Sequence, residues 1–154
     1  MKNILILFAL IISFNSFGQS PEDEEVPFMI IQNVPVYPGC TGNNEEKRKC
    51  MHENIAEFVQ RNFNTDLAGD LGLTGLLRIA VIFRIDKSGN VIGVRSRGPH
   101  PRLEEEAIRV IGLLPKMEPG LQKGKPVVVP YSLPIIFVVQ EEEEPKTETW
   151  YKKS

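Results

Sequence analysis

Leu77-Arg78-Ile79-Ala80-Val81-Ile82-Phe83-Arg84-Ile85 is the stretch that decides the fold of this chain. Leu77, Ile79, Val81, Phe83 and Ile85 alternate with Arg78, Ala80, Ile82 and Arg84, the period of two that marks a strand with one buried face and one mixed face. Asp86-Lys87-Ser88-Gly89-Asn90 turns the chain, with Gly89 supplying a positive φ, and Val91 to Arg97 follows as a second strand. The pair reads as an antiparallel hairpin.

C-terminal to the hairpin, Gly98-Pro99-His100-Pro101 stops the second strand and starts a helix, with Pro101 near its first turn and Glu104 to Glu106 at the positive end of its dipole. Leu103, Ala107, Val110, Ile111 and Leu114 form the apolar stripe, and Pro115 ends the helix. No nucleophile or carboxylate constellation accompanies His100, so it reads as a helix-start residue rather than a catalytic base. A Gly/Lys turn then leads into a strand that carries Pro130 and Pro134 and runs to Val139. Alternate residues of a strand direct their backbone groups to the same side, so Pro130, Ser132, Pro134, Ile136 and Val138 share one edge. If the hairpin pairs through Val129, Tyr131, Leu133, Ile135 and Phe137, no proline disturbs the ladder, and the proline side is the free side. Pro130 and Pro134 block that edge against adventitious pairing, while Ile136 and Val138 keep donors and acceptors for a guest strand.

N-terminal to the hairpin, Leu67 to Gly75 is a glycine-punctuated connection. Before it, Met51, Ile55, Phe58, Val59 and Phe63 fall at helical spacing opposite Glu53, Glu57 and Arg61, with Asn43 or Asn44 as N-cap and Glu45-Glu46 in the first turn. His52 lies off that stripe and reads as a solvated side chain. Val34-Pro35-Val36-Tyr37-Pro38-Gly39 has the composition of an extended segment ending in a turn. The order is therefore extended segment, helix, strand, strand, helix, strand: an α+β fold with two helices packed on a small antiparallel sheet of about three strands.

The ends of the chain have other characters. Lys2 and Asn3 precede an apolar run, Ile4 to Ile12, and Ser16 and Gly18 stand at −3 and −1 before Gln19, the pattern of a cleaved signal peptide over residues 1–18. An apolar run of about eleven residues covers roughly 16 Å, well short of a bilayer core of about 30 Å. Export to the periplasm follows, with a retained anchor in the cytoplasmic membrane as the competing expectation. Residues 19–33 are acidic with little periodicity and read as a flexible lead-in to a domain spanning 34–139. Residues 140–154, with Glu141 to Glu144 and the cluster Trp150-Tyr151-Lys152-Lys153, read as an acidic, disordered tail.

Charge excludes some functions. The 154 residues carry a net charge of −2, and loss of residues 1–18 removes one Lys and no acid, giving −3. There is no basic excess of the kind nucleic-acid binders show, so no nucleic acid is expected as partner. In an exported chain Cys40 and Cys50 read as a structural disulfide. A redox pair would prefer Cys-x-x-Cys spacing, and a metal site of Cys40, Cys50 and His52 lacks a fourth ligand. No catalytic, cofactor or metal site is expected, although a periplasmic enzyme or redox protein remains the alternative of a different class.

Several motifs in order carry a resemblance: Val36-Tyr37-Pro38-Gly39-Cys40, Ile85-Asp86-Lys87-Ser88-Gly89-Asn90-Val91, Leu114-Pro115-Lys116-Met117-Glu118-Pro119-Gly120, and Gly124-Lys125-Pro126-Val127 followed by Leu133-Pro134-Ile135-Ile136-Phe137. Over residues 34 to 139 the chain resembles the C-terminal domain of TonB energy transducers, and the Cys40/Cys50 version is similar to the Bacteroidota form. The resemblance implies a periplasmic domain whose last strand takes up the TonB box, a short extended peptide of outer-membrane TonB-dependent transporters, by strand addition in support of nutrient transport. On this chain the guest would add at Ile135, Ile136, Phe137, Val138 and Val139, and the same edge is open to a second copy. Energised family members also carry an uncleaved membrane helix that meets ExbB and ExbD, and a long proline-rich spacer. Coupling to ExbB/ExbD is thus expected only if the N-terminus is retained as an anchor, and a stand-alone periplasmic interaction domain unrelated to transport is the further alternative.

Overall fold

The alternation along the deciding stretch becomes strand β1, Gly75–Ile85, whose odd-numbered residues from Leu77 onward are all buried. In this computed structural model, which describes residues 25–140, the elements preceding β1 are helix α1 (Asn44–Asn62) and the short helix α2 (Asp66–Asp70). Strand β2 (Val91–Arg97), helix α3 (Pro101–Gly112), the two-residue strands β3 (Leu121–Gln122) and β4 (Lys125–Pro126), and strand β5 (Val129–Val139) follow. The main sheet is antiparallel in the order β2-β1-β5, and β3 and β4 form a separate two-stranded hairpin. This is the expected α+β fold, with α1 and α3 on the three-stranded sheet.

One core joins the layers. Met51, Ile55 and Val59 of α1, Leu103, Ala107, Val110 and Ile111 of α3, and the inward residues of β1 and β5 form a single buried cluster. Both helices start as their sequences dictate. Asn43 caps α1 through a capping box, its side chain accepting from Glu45 and Glu46 amides while Glu46 accepts the Asn43 amide. Asn44, the other candidate cap, instead accepts the Val34 amide through its side chain. His100 caps α3, its Nδ1 accepting the Arg102 amide at 3.2 Å with Pro101 next in line, which is the helix-start role expected of it.

Two local expectations need correction, and a third, the Gly/Lys turn, holds in sharper form. The connection Leu67 to Gly75 is not all loop, because Asp66–Asp70 closes a turn of helix that buries Ala68. The Gly/Lys turn is a true two-residue hairpin loop, with Lys123 and Gly124 both at positive φ (51° and 74°), joining β3 to β4. The lead-in expected to be flexible is, from Glu25 to Asn33, packed on the domain. Val26, Ile31 and Val34 build a second buried cluster with Val127 and Val129, and the Arg48 guanidinium lies 4.8 Å from the centre of the Phe28 ring. Arg48 also donates to the Phe28 carbonyl, and Leu121 and Asn33 exchange backbone hydrogen bonds at 2.8 and 3.1 Å. The acidic composition hid these few apolar contacts, since Val26, Phe28 and Ile31 show no strict period.

Cys40 and Cys50 form the disulfide, with Cα atoms 5.8 Å apart. It fastens the turn after Tyr37 to the first half of α1, and with both sulfurs bonded to each other neither is a thiolate that could ligate a metal. Residues 1–18, expected to be a signal peptide, and the expected tail after Gln140 lie outside the described residues. Among the described residues no helix is long and apolar enough to cross a membrane.

Candidate peptide-binding edge

β5 pairs with β1 along its whole length, from Val129 opposite Ile85 to Val139 opposite Gly75. The pairs alternate between those that exchange hydrogen bonds and those that do not. Proline has no N–H, so Pro130 opposite Arg84 and Pro134 opposite Ala80 fall on non-bonded pairs, and the ladder runs through the odd-numbered residues of β5. The backbone groups of Ser132, Pro134, Ile136 and Val138 therefore point away from the sheet, at an edge with no further strand among the described residues.

That edge is graded along its length. At its start the lead-in closes it: Glu25 forms a parallel bridge with Val128, and the Val26 amide donates to the Val128 carbonyl at 2.9 Å. Pro130 and Pro134 then withhold donors. Only toward the C-terminal end, at Ile136 and Val138, are donors and acceptors continuous. The side chains there face the open side of the sheet and are 47% and 67% exposed, unusual for aliphatic residues on a small domain. Ile135 points inward and is buried, Phe137 is half-buried with its ring centre 5.5 Å from that of Phe63, and Val139 is half-buried at the end of the strand.

On the helix side the edge borders a groove of about 360 Å³. Ala56, Val59, Gln60 and Phe63 of the α1 flank form one wall, and Leu133 to Phe137 form the other. Sequence reading did not find the helix wall. Its signal was present in the spacing His52, Ala56, Gln60, a four-residue row beside the apolar stripe, of which Ala56 keeps the wall low. His52, expected to be merely solvated, begins this row and lies with Nδ1 2.9 Å from the Tyr131 hydroxyl, tying α1 to β5. Burial pushes the Tyr131 hydroxyl pKa up to about 12.

At the far end of the core Glu106 is buried and accepts from the Asn64 amide at 3.0 Å and from Arg109 at 2.7 Å. The hydrogen bonds from Arg109 hold its carboxyl below the usual range, burial opposes them, and the Asn64 amide reinforces them. This group fixes the exit of α1 against α3, since Arg109 also donates to the Asn62 carbonyl at 3.0 Å. Among the described residues no three His, Cys, Asp or Glu side chains gather as a metal site.

An open strand edge beside an apolar groove suits an extended peptide, and the sequence carrying it, together with α3 and the hairpin, matches a family model. Residues 68–139 match the family described as Gram-negative bacterial TonB protein C-terminal. That segment belongs to the TonB C-terminal family. The match to the TonB C-terminal domain takes in the whole β2-β1-β5 sheet and α3, whereas α1, the disulfide and the packed lead-in precede it. TonB C-terminal domains are periplasmic interaction domains, without enzymatic activity as a family, that serve energy transduction in transport through contact with outer-membrane transporters. No curated protein matches the chain.

Proposed function

We propose that this protein is an exported periplasmic domain that binds the TonB-box peptide of outer-membrane TonB-dependent transporters by adding it as a strand to the free edge of β5. The residues that receive it are Ile135 to Val139, with Pro130 and Pro134 confining pairing to that end. The observation that carries the reading is the conjunction of an unpaired strand edge, with donors continuous beyond Pro134, and an apolar groove whose β5 wall runs from Leu133 to Phe137. A guest strand beside Ile136 and Val138 gains backbone hydrogen bonds, and its inward side chains enter the groove along Ala56, Gln60 and Phe63. Affinity then comes from the main chain and selection from the pocket.

The domain division is part of this proposal: residues 1–18 as a cleaved signal peptide and a mature chain from Gln19. N-terminal sequencing of the exported protein tests it, since a chain still beginning at Met1 would support an anchored transducer coupled to ExbB and ExbD instead. The binding itself is tested by titrating the isotopically labelled protein with TonB-box peptides. Backbone amides of Ile136 and Val138 shift first, and Ile136→Pro, if its core signals are retained, abolishes the response. Shifts confined to β2 would mean that the guest uses the other edge of the sheet.

A further inference from the structure

The face of the sheet turned away from the helices is cationic and oily at once. β1 places Leu76, Arg78, Ala80, Ile82 and Arg84 on it, and the registers set Arg97 beside Ala80, Arg95 beside Ile82, Ile136 beside Arg78 and Val138 beside Leu76. Four of the eight arginines among the described residues thus share one face, in a chain whose net charge is −2. Leu76, Ile82, Ile136 and Val138 stand between them, 67%, 50%, 47% and 67% exposed. One ion pair is found there among the described residues: Arg84 Nη1 to Glu25 Oε1 at 2.9 Å. A carboxylate from an acidic terminal segment is therefore a ligand this face already takes, while Arg78, Arg95 and Arg97 have no ion pair among the described residues.

We propose that the C-terminal tail folds back over this face, with Glu141 to Glu144 on Arg78, Glu148 toward Arg97, and Trp150 against the exposed aliphatic residues. Position and charge both favour this occupant. The glutamate run starts right after Gln140, at the end of the sheet where Leu76 and Val138 lie. Arg78 is level with Ile136, so it is four residues back from Gln140, or about 13 Å, and four extended residues span about the same length. Glu148 and Trp150 extend that reach toward Arg97 and Ile82. Tethering supplies the anion at an effective concentration on the order of millimolar. A second copy docked face to face would instead oppose arginines to arginines.

Trp150 is the sole tryptophan, so its fluorescence reports the tail alone. In the purified protein at low salt the emission should be blue-shifted relative to a peptide of residues 141–154, and should move to the peptide's wavelength by roughly 0.5 M NaCl, where the screening length falls to about 4 Å. Both Arg78→Gln with Arg97→Gln, and Glu141 to Glu144 replaced together by Gln, should give the peptide-like wavelength already at low salt. The second variant leaves the sheet untouched, so it decides the matter if the arginine variant unfolds. Emission equal to that of the free peptide at low salt would overturn the proposal. So would a blue shift that survives the glutamate substitutions, or one that fades on dilution, which would indicate a second copy as the occupant.

Discussion

The Tyr131 hydroxyl lies 2.9 Å from Nδ1 of His52, and this contact joins the edge strand to the helix that forms the other wall of its groove. Tyr131 also meets Phe28 edge-on, with ring centres 5.1 Å apart, so the packed lead-in, α1 and β5 converge on one ring. Burial raises the pKa of the hydroxyl from 10.0 to about 12, so it stays neutral further into the alkaline range than an exposed tyrosine does.

Alkaline stability should follow from that shift. The folded pKa exceeds the unfolded one, so the stabilisation is complete below about pH 10 and is lost as pH rises through about 12. Denaturant midpoints measured across that window should fall, and Tyr131→Phe should flatten this part of the profile. The same variant removes the His52 contact and should cost about 1 kcal/mol at pH 7.

Gly89 tests the other end of the sheet. It has φ +87°, and a Cβ there would sit 1.7 Å from the Met117 carbonyl oxygen, in a place where the Met117 amide donates to the Gly89 carbonyl at 2.9 Å. Gly89→Ala brings both left-handed strain and a backbone clash, and should lower stability by about 2 kcal/mol or more in chemical denaturation. Gly112→Ala, on exposed helix with nothing within 4 Å of the new Cβ, is the control and should be neutral or stabilising.

Glu106 should set the acid limit. Its folded pKa is lowered, so its contribution is present above the unfolded carboxyl value and disappears as pH falls through the folded one. Glu106→Gln keeps the shape and loses the charge-assisted bonds to Arg109. Stability at pH 7 should drop by about 1 to 2 kcal/mol, and the difference from the native protein should shrink as pH falls below about 4.

The hairpin, both long helices and the side of β5 that faces β1 were legible because each rests on a local rule: period two, period 3.6, or a missing N–H at Pro130 and Pro134. The groove was not, since Ala56 and Gln60 acquire meaning only once α1 is laid beside β5. The arginine face was hidden for the same reason. Arg78 and Arg84 are separated in sequence from Arg95 and Arg97, and only the β1–β2 register, with its extra residue between Ile92 and Arg95, brings them together. The lead-in was misjudged because its acids outnumber the apolar residues that anchor it.

Reducing the disulfide should weaken the fold without touching the edge. Cys40 and Cys50 are ten residues apart, and closing a loop of that size stabilises by about 2 to 3 kcal/mol in the chain-entropy account. Cys40→Ser with Cys50→Ser should lower the unfolding free energy by that amount in chemical denaturation, while peptide affinity at a temperature where both proteins are folded stays within about twofold, a difference of about 0.4 kcal/mol. A large loss of affinity in a folded double variant would tie the disulfide to the groove and require α1 to be mispositioned in its absence.

The groove makes a prediction that separates strand addition from simple adhesion to an apolar patch. Ala56 is exposed on α1 and lines the wall facing Ile135 and Phe137, so a larger side chain there fills the space an inward guest side chain needs. Ala56→Trp adds apolar surface while blocking the groove. A guest held only by hydrophobic adhesion should bind as well or better, whereas a strand that must seat a side chain between α1 and β5 should bind at least tenfold more weakly, a loss of about 1.4 kcal/mol. Calorimetric titration with a TonB-box peptide distinguishes the two, provided the unfolding midpoint of the variant stays within a few degrees of the native protein. Ile136→Thr gives the complementary reading: it keeps the backbone edge intact and removes exposed apolar surface on the opposite face. Affinity should change little if the ladder and the groove carry the binding, and should fall as in Ala56→Trp only if the outer face makes the contact.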